Sequence, residues 1–189
     1  MMQLRPAELG DLPQLKAVYQ GIIRDMTQRD LTIWDEIYPC AFFEEDIEQN
    51  RLYLLLEEDA VVAAFALCSS HAGAGRVKWE KPDARACYLE RLGVHADYAR
   101  GGIGSALLDQ AAALAGGRGA EYLRLFVADC NAPAIALYRK NGFQRAEGIY
   151  DEPIAPDFVL HEFGLERKIT AIDFFAGNGT LKNVTVRRK

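Results

Sequence analysis

Residues 98–115 read "YARGGIGSALLDQAAALA". Gly101, Gly102 and Gly104 stand where an apolar-periodic helix begins. Glycine is unfavourable inside a helix, so something besides local stability must account for them. The first turn of a helix carries backbone N–H groups without intrahelical partners. The helix dipole adds partial positive charge there, so anions and phosphates above all are attracted. Glycines remove the Cβ atoms that would hold a phosphate away. The stretch therefore has the pattern of a pyrophosphate cradle. A tight strand-to-helix turn without a ligand has the same pattern.

Other residues add chemistry. Asn131 and Tyr138 are seven apart in "NAPAIALYRKNGF", two helical turns on one face. A phenol titrates near ~10, so a tyrosine carries its proton at neutral pH and can donate it. Tyr138 is otherwise an aromatic packing residue, and Asn131 a helix N-cap. Glu90 shares a strand face with Leu92 and Val94 by the period-two rule. It reads as a general base, or as a strand carboxylate paired with Arg91 or Arg124. His95 titrates in a useful range but opens a turn. In "WDEIYP", Trp34 and Tyr38 could wall a pocket while Asp35 and Glu36 hold a cationic amine. The same residues could be a capped turn with core aromatics.

The elements that must position these residues follow from the patterning. "MQLRPA" is a short first strand. "ELGDLPQLKAVYQGIIRDMTQ" is a helix with Leu12, Leu15, Val18, Tyr19, Ile22 and Ile23 at helical spacing. A short acidic helix lies around Phe42, Phe43 and Ile47. "RLYLLLEEDAVVAAFALCSS" predicts a hairpin turning at Glu58-Asp59. "ACYLERLGVH" is a strand that runs into the glycine turn. A helix over 102–116 presents Leu107, Leu108, Ala111, Leu114 and Ala115 on one face. "EYLRLFVA" is a strand. The helix from Asn131 has Pro133 early and ends at Asn141-Gly142. "FQRAEGIYDE" and "FVLHEFGLERKI" are the last two strands. The order predicts an α/β fold with a mixed, mostly antiparallel sheet flanked by helices.

Three phosphate-binding patterns compete for the glycine turn. A dinucleotide fingerprint needs a third glycine where Leu107 stands, so a nicotinamide-linked oxidoreductase is disfavoured. A nucleoside-triphosphate loop needs a Gly-Lys-Ser/Thr that is missing. The third fits. "LERLGVHADYARGGIGSALL" resembles the acetyl-CoA-binding motif of the GNAT superfamily of N-acyltransferases, an apolar strand followed by Gln/Arg-x-x-Gly-x-Gly/Ala and a helix. "NAPAIALYRKNGF" resembles the family's Asn-x-x-Ala-x-x-x-Tyr-x-x-x-Gly-Phe helix at Asn131, Ala134, Tyr138, Gly142 and Phe143. The resemblance spans residues 1–168. One position departs from it: the family's Gln/Arg falls on Ala99, and the arginine stands one place later, at Arg100.

The resemblance implies a GNAT fold with a splayed central strand, and acetyl transfer from acetyl-CoA to a primary amine of a small molecule or peptide. It implies direct attack in a ternary complex, with acetyl-CoA as cosubstrate and no metal. Leu92 and Val94 would offer backbone groups to the pantetheine arm. The amides of Arg100, Gly101, Gly102, Ile103, Gly104 and Ser105 would hold the pyrophosphate. Asn131 would also bond the cofactor arm. Tyr138 would protonate the leaving thiolate and Glu90 would serve as base. Trp34, Asp35, Glu36 and Tyr38 lie where the family builds its acceptor pocket. A non-catalytic acyl-CoA-binding sensor of the same fold needs only the glycine turn.

Composition sets the remaining bounds. The 189 residues suit one domain with a real core. A net charge of −5 argues against a nucleic-acid partner held by electrostatics. Cys40, Cys68, Cys87 and Cys130 are far apart and read as buried small hydrophobes of a reduced, cytoplasmic protein. The N-terminal stretch lacks a secretory apolar region, and no apolar run is long enough to span a membrane. Residues 169–189 form a C-terminal extension. Within it "DFFAGNG" imitates a methyltransferase motif, but too few residues follow for that fold. Turn signals around Ala176–Gly179 suggest a hairpin that could extend the sheet, cover an edge or pair subunits in a homodimer.

Overall fold

A computed structural model describes residues 2–170 and Asp173. The hairpin expected around Ala176–Gly179 lies outside the described residues. The described strands form a mixed sheet of eight, flanked by helices. The chain divides into two compact units, residues 2–67 with 91–107, and residues 68–90 with 108–170.

In the first unit, β1 (Met2–Pro6), β2 (Leu52–Glu57) and β3 (Ala60–Cys68) form an antiparallel ladder. The β2–β3 hairpin turns where the sequence predicts, with Glu58 in the left-handed region at φ 56°. Leu54, Leu55, Val62, Ala63 and Ala64 are fully buried. Such continuous burial explains the run of apolar residues in place of an alternating one. Helix α1 (Leu12–Thr27) starts with Pro13 in its first turn, where no amide donor is needed. It buries Leu15, Val18 and Tyr19. Helix α2 (Phe43–Glu48) buries Phe43, Asp46 and Ile47.

In the second unit, the N-terminal half of β4 (Ala86–Val94) pairs in parallel with β5 (Tyr122–Ala128). Helix α3 (Ile103–Gly117) is the crossover that parallel pairing demands. The ladder covers only Ala86–Tyr88 against Tyr122–Arg124. Beyond Tyr88 β4 leaves it, which is the expected splay. β8 (Phe158–Lys168) pairs antiparallel with the whole of β5. It also pairs with β6 (Gln144–Arg145) and β7 (Tyr150–Ala155). The sequence predicts two final strands and the structure has three. "FQRAEGIYDE" is broken at Gly148, which adopts φ 105° between β6 and β7. Helix α4 (Ala132–Lys140) ends at Gly142, as its Asn-Gly predicts.

The cysteines differ from expectation in part. Cys68 and Cys87 are buried thiols, but Cys40 is half-buried and Cys130 exposed. A surface thiol at Cys130 follows from its place in the turn before α4, where the chain must be solvated.

One polar cluster stands out in the first core. Asp46 is 0% exposed. It accepts from Arg91 Nε at 2.7 Å and Nη2 at 2.9 Å, and from Arg51 Nε at 2.6 Å. Arg91 itself is buried and has φ 55°, a bulge inside β4. The Tyr19 hydroxyl donates to the Arg91 carbonyl and faces the Ala64 carbonyl at 3.1 Å. Two residues on, a Cβ at Gly93 would lie 2.8 Å from Tyr19 Cζ.

Removing one partner of a buried pair strands the other charge, so Asp46→Asn should cost about 3–5 kcal/mol by urea denaturation. Gly93→Ala should cost about 1–3 kcal/mol, because the Tyr19 ring is pinned at both ends and cannot yield.

Candidate active site

The end of β4 and the start of α3 belong to the first unit. After the Arg91 bulge, Gly93 is buried, while Leu92 and Val94 are half-buried. Their side chains are therefore not the plain core that their types suggest. His95 donates its backbone N–H to the Val62 carbonyl at 2.8 Å. Its Nδ1 accepts from the Asp97 amide at 3.2 Å, capping a single 3-10 turn, Ala96–Tyr98. The Tyr98 hydroxyl bonds Glu57 at 2.8 Å and ties this turn to β2.

The chain then passes through Ala99, which is extended, and Arg100, at φ 66°. Gly102 has φ 85°, and a Cβ built there would meet nothing within 4 Å. Backbone conformation therefore requires this glycine, and the space beside it is open. Gly101 is tighter, its Cβ position 3.3 Å from the Tyr98 carbonyl. The first helical bond runs from the Ala106 amide to the Gly102 carbonyl at 3.1 Å. Ile103 and Leu107 are buried and fix the helix beneath the turn. Gly104 and Ser105 are half-buried, and Arg100 is exposed. The amides of this first turn thus lie at an open surface with two left-handed residues before them. That arrangement fits the phosphates of a CoA ester.

The "WDEIYP" stretch is also in the first unit. Trp34 stacks on Tyr19, with centroids 5.6 Å apart. Tyr38 meets Trp34 edge-on at 6.4 Å and Phe42 at 5.5 Å. Asp35 Oδ1 accepts from the Ile37 and Tyr38 amides, both at 2.7 Å. That is an Asx-type turn, so one carboxylate oxygen already serves the backbone. Glu36 is exposed. The two aromatics therefore join the Tyr19 cluster, and of the two acids Glu36 carries no such turn.

The second unit holds Glu90, Asn131 and Tyr138. Asn131 caps α4, its Oδ1 accepting from the Ala134 amide at 3.3 Å. The amide NH2 of the same side chain has no partner among the described residues. Tyr138 is buried beside Phe143, with centroids 5.7 Å apart. Its hydroxyl has no hydrogen-bond partner among the described residues. Burial pushes this phenol well above its ordinary range, so it holds its proton at neutral pH.

Glu90 is half-buried on β4. The two arginines considered as its partners are held elsewhere. Arg91 is held by Asp46, and Arg124 by Glu166, at 3.1 Å. Two further carboxylates act on it electrostatically. Burial and the charge of Glu90 raise Glu152. Burial, then Glu152 and Glu90, push Glu162 up to about 8. The sequence reasoning missed both. A signal was present, because "HEFGLERK" puts Glu162, Gly164 and Glu166 on one face of a strand that must be central. Among the described residues no group of three or more His, Cys, Asp or Glu side chains could hold a metal ion. No described helix is long and apolar enough to cross a membrane.

Comparison with known proteins gives the family and the fold. Residues 15–143 match the family described as Acetyltransferase (GNAT) family. The chain is 30% identical over 144 residues to YwnH of Bacillus subtilis (strain 168), a candidate phosphinothricin acetyltransferase, covering 75% of this chain and 83% of that one. It is 41% identical over 131 residues to the mycothiol acetyltransferase of Clavibacter sepedonicus, covering 66% of this chain but only 43% of that protein. Among solved structures, the ribosomal-protein-S18-alanine N-acetyltransferase of Escherichia coli superposes with a TM-score of 0.64 at 22% identity, over 90% of this chain and 95% of that one. A GNAT acetyltransferase of Streptococcus agalactiae 2603 gives 0.68 at 18% identity, over 89% and 95%. Such distant structures speak for the fold, whereas the family match spans more than half of the sequence, and on it the chain belongs to the GNAT acetyltransferase family.

Proposed function

We propose that this chain is an acetyl-CoA-dependent N-acetyltransferase acting on a primary amine of a small molecule or peptide. The observation that carries the reading is the opening of α3. A family member keeps an open, left-handed glycine at Gly102, directly before the N-terminus of α3, where backbone amides and the helix dipole favour an anion. The names of its relatives point to phosphinothricin, to mycothiol and to a ribosomal-protein alanine, which supports both acceptor classes. Acetyl-CoA supplies an activated thioester. The chain's own part is to bind, orient and move protons.

The amides of Arg100, Gly101, Gly102, Ile103, Gly104 and Ser105 take the pyrophosphate. Backbone groups at Leu92 and Val94 take the pantetheine arm, and the free amide of Asn131 adds a donor. The half-buried side chains of Leu92 and Val94 are then covered by ligand. Tyr138 gives its proton to the departing thiolate. Glu90 receives the acceptor's ammonium and draws a proton from it, directly or through water. Trp34, Tyr38, Asp35 and Glu36 line the approach of the acceptor. The amine attacks directly in a ternary complex, so rate comes from holding amine and thioester together. Free thiols and acceptors of this kind suit the cytoplasm. A homodimer through the C-terminal extension remains part of the proposal, as does the division into a domain of 1–168 and an extension of 169–189.

Acetyl-CoA should raise the melting temperature of the wild type, because it binds the native state. Gly102→Val should stay folded and lose that shift. A shift with NADH and none with acetyl-CoA would overturn the assignment.

Tyr138→Phe keeps the packing against Phe143 and loses only the proton donor. Turnover should fall by about 10²–10⁴, with acetyl-CoA affinity unchanged. Unchanged turnover, with chemistry rate-limiting, would make Tyr138 a packing residue. No turnover with any amine, in a wild type that binds acetyl-CoA, would identify a CoA-binding sensor.

Glu90→Gln should depress turnover near neutral pH and recover at alkaline pH, where the amine arrives neutral. A pH–rate profile parallel to that of the wild type would remove Glu90 from the proton path.

A further inference from the structure

One face of the second unit's sheet can be followed residue by residue. Residues opposite one another in a ladder share a face. Tyr88 lies opposite Arg124, and Arg124 opposite Glu166. Phe126 lies opposite Gly164, and Ala128 opposite Glu162. On the other side of β8, Tyr150 lies opposite Glu162 and Glu152 opposite Leu160. Glu152 and Glu162 are thus diagonal neighbours on this face. Glu90 follows Tyr88 by two along β4, before the bulge, and shares the face.

Two carboxylates of β8 are buried here, and they are treated differently. Glu166 is 5% exposed, bonds Arg124 and accepts from the Glu80 amide at 2.6 Å. Its charge is answered. Glu162 is 9% exposed, yet no Lys, Arg or His among the described residues pairs with it. Its Oε2 is buried without a hydrogen-bond partner among the described residues. What faces it is Glu90 from β4, Glu152 and the Tyr150 phenol from β7, and the Ala128 methyl from β5. The basic side chain His161 points to the other face, where it pairs with Asp151 at 2.6 Å. Aromatic rings share the face with the three acids: Phe126 is 5.5 Å from Tyr150 and 4.3 Å from His71, ring to ring. Burying a carboxylate beside two others without a cation is costly. Among the described residues two buried side-chain atoms lack a partner, Glu162 Oε2 and Arg167 Nε, both on β8. The guanidinium of Arg167 is answered by Asp109 and Asp173, whereas Glu162 has acids for neighbours. Costs of this kind gather at functional sites.

We infer that Glu162, with Glu152 and Glu90, is the seat of the acceptor's ammonium group, and that Glu162 is where the ammonium's proton comes to rest. The inference rests on the proposed acetyl transfer and names the residues of its acceptor end. A cation is the one ligand that answers all three observations: the unpaired buried oxygen, the crowded acids and the aromatic rings on the same face. Its arrival displaces the proton that Glu162 holds in the free protein. Glu90 draws one proton from the ammonium, and the ionised Glu162 carboxylate takes that proton on from Glu90. The freed lone pair on nitrogen forms the bond to the acetyl carbon. The carbon–sulfur bond breaks, and its electron pair leaves with sulfur, which takes the Tyr138 proton. The nitrogen sheds its second proton as the amide forms, and that proton restores the tyrosine through solvent. Glu90, nearer the solvent, receives the ammonium first, so its own loss is felt in the same profile.

The test uses the full chain with glutamate carboxyl carbons labelled with 13C, and n-propylammonium chloride as probe. In the wild type, excess propylammonium should move the Glu162 titration to lower pH, while n-propanol should not. Glu162→Gln should abolish propylammonium binding. It should also melt no lower than the wild type, because glutamine is neutral like the protonated acid it replaces. The variant's acetyl-CoA thermal shift should equal that of the wild type. With an acceptor in hand, it should raise KM as well as lower kcat. A Glu162 titration indifferent to propylammonium would overturn the inference. So would a Glu162→Gln protein that binds the probe as the wild type does. If propylammonium binds at Glu162 and acetyl-CoA binds nowhere, the cation seat stands and the transfer reading falls. Should Glu162→Gln fail to fold, Glu152→Gln reports in its place, with weakened propylammonium binding expected and undiminished binding counting against the seat.

Discussion

The ion pair between Asp46 and Arg91 is the constraint on which the first unit depends. A fully buried carboxylate needs its charge and its lone pairs answered, and Arg91 and Arg51 answer them with three short bonds. To reach Asp46, Arg91 occupies a bulge in β4 with its backbone in the left-handed region. That bulge sets the course of everything that follows it. Its carbonyl is taken by the Tyr19 hydroxyl, and the next but one residue must be glycine because the same ring lies against it. Leu92 and Val94 are thereby left half-buried on either side of Gly93. The strand then delivers the chain to the turn before α3.

The glycines at that turn serve different purposes. Gly102 is required by its backbone angle and has open space beside it, which is what close approach by a bulky anion needs. Gly101 answers to the Tyr98 carbonyl. Arg100 takes a left-handed angle that a non-glycine residue adopts at some cost. Strain placed directly before a helix N-terminus fits a backbone arranged for a ligand rather than for its own stability. Gly102, Ile103 and Gly104 carry that feature whatever side chain stands at Ala99.

The second unit applies the opposite logic to its acids. Glu166 is a buried carboxylate with an arginine and an amide around it, and it fixes Arg124 over the Trp79 ring, 4.5 Å from its centroid. Glu162 lies on the same face of the same strand with acids for neighbours. The difference is one of position. The β4–β5 ladder closes over Glu166 and ends before it reaches Glu162, so the splay that opens the sheet also removes the partners a carboxylate would otherwise find.

Much of this protein was determined by sequence alone. Periodicity located α1, α3 and α4, the β2–β3 hairpin, and the strands β4, β5 and β8, because each buries one face or a continuous run. The two family motifs were local, and local patterns survive without knowledge of the fold. Asn131 as a cap and the break at Gly142 were legible for the same reason. The tertiary structure alone decided which buried charges have partners. Asp46 and Arg91 are 45 positions apart, and Glu162 meets Glu90 and Glu152 only through strand register. A sequence displays the residue types but not the distances between them. Electrostatic energy falls with distance and rises with burial, so whether an acid is neutralised or left waiting for a cation is settled only when the strands pair.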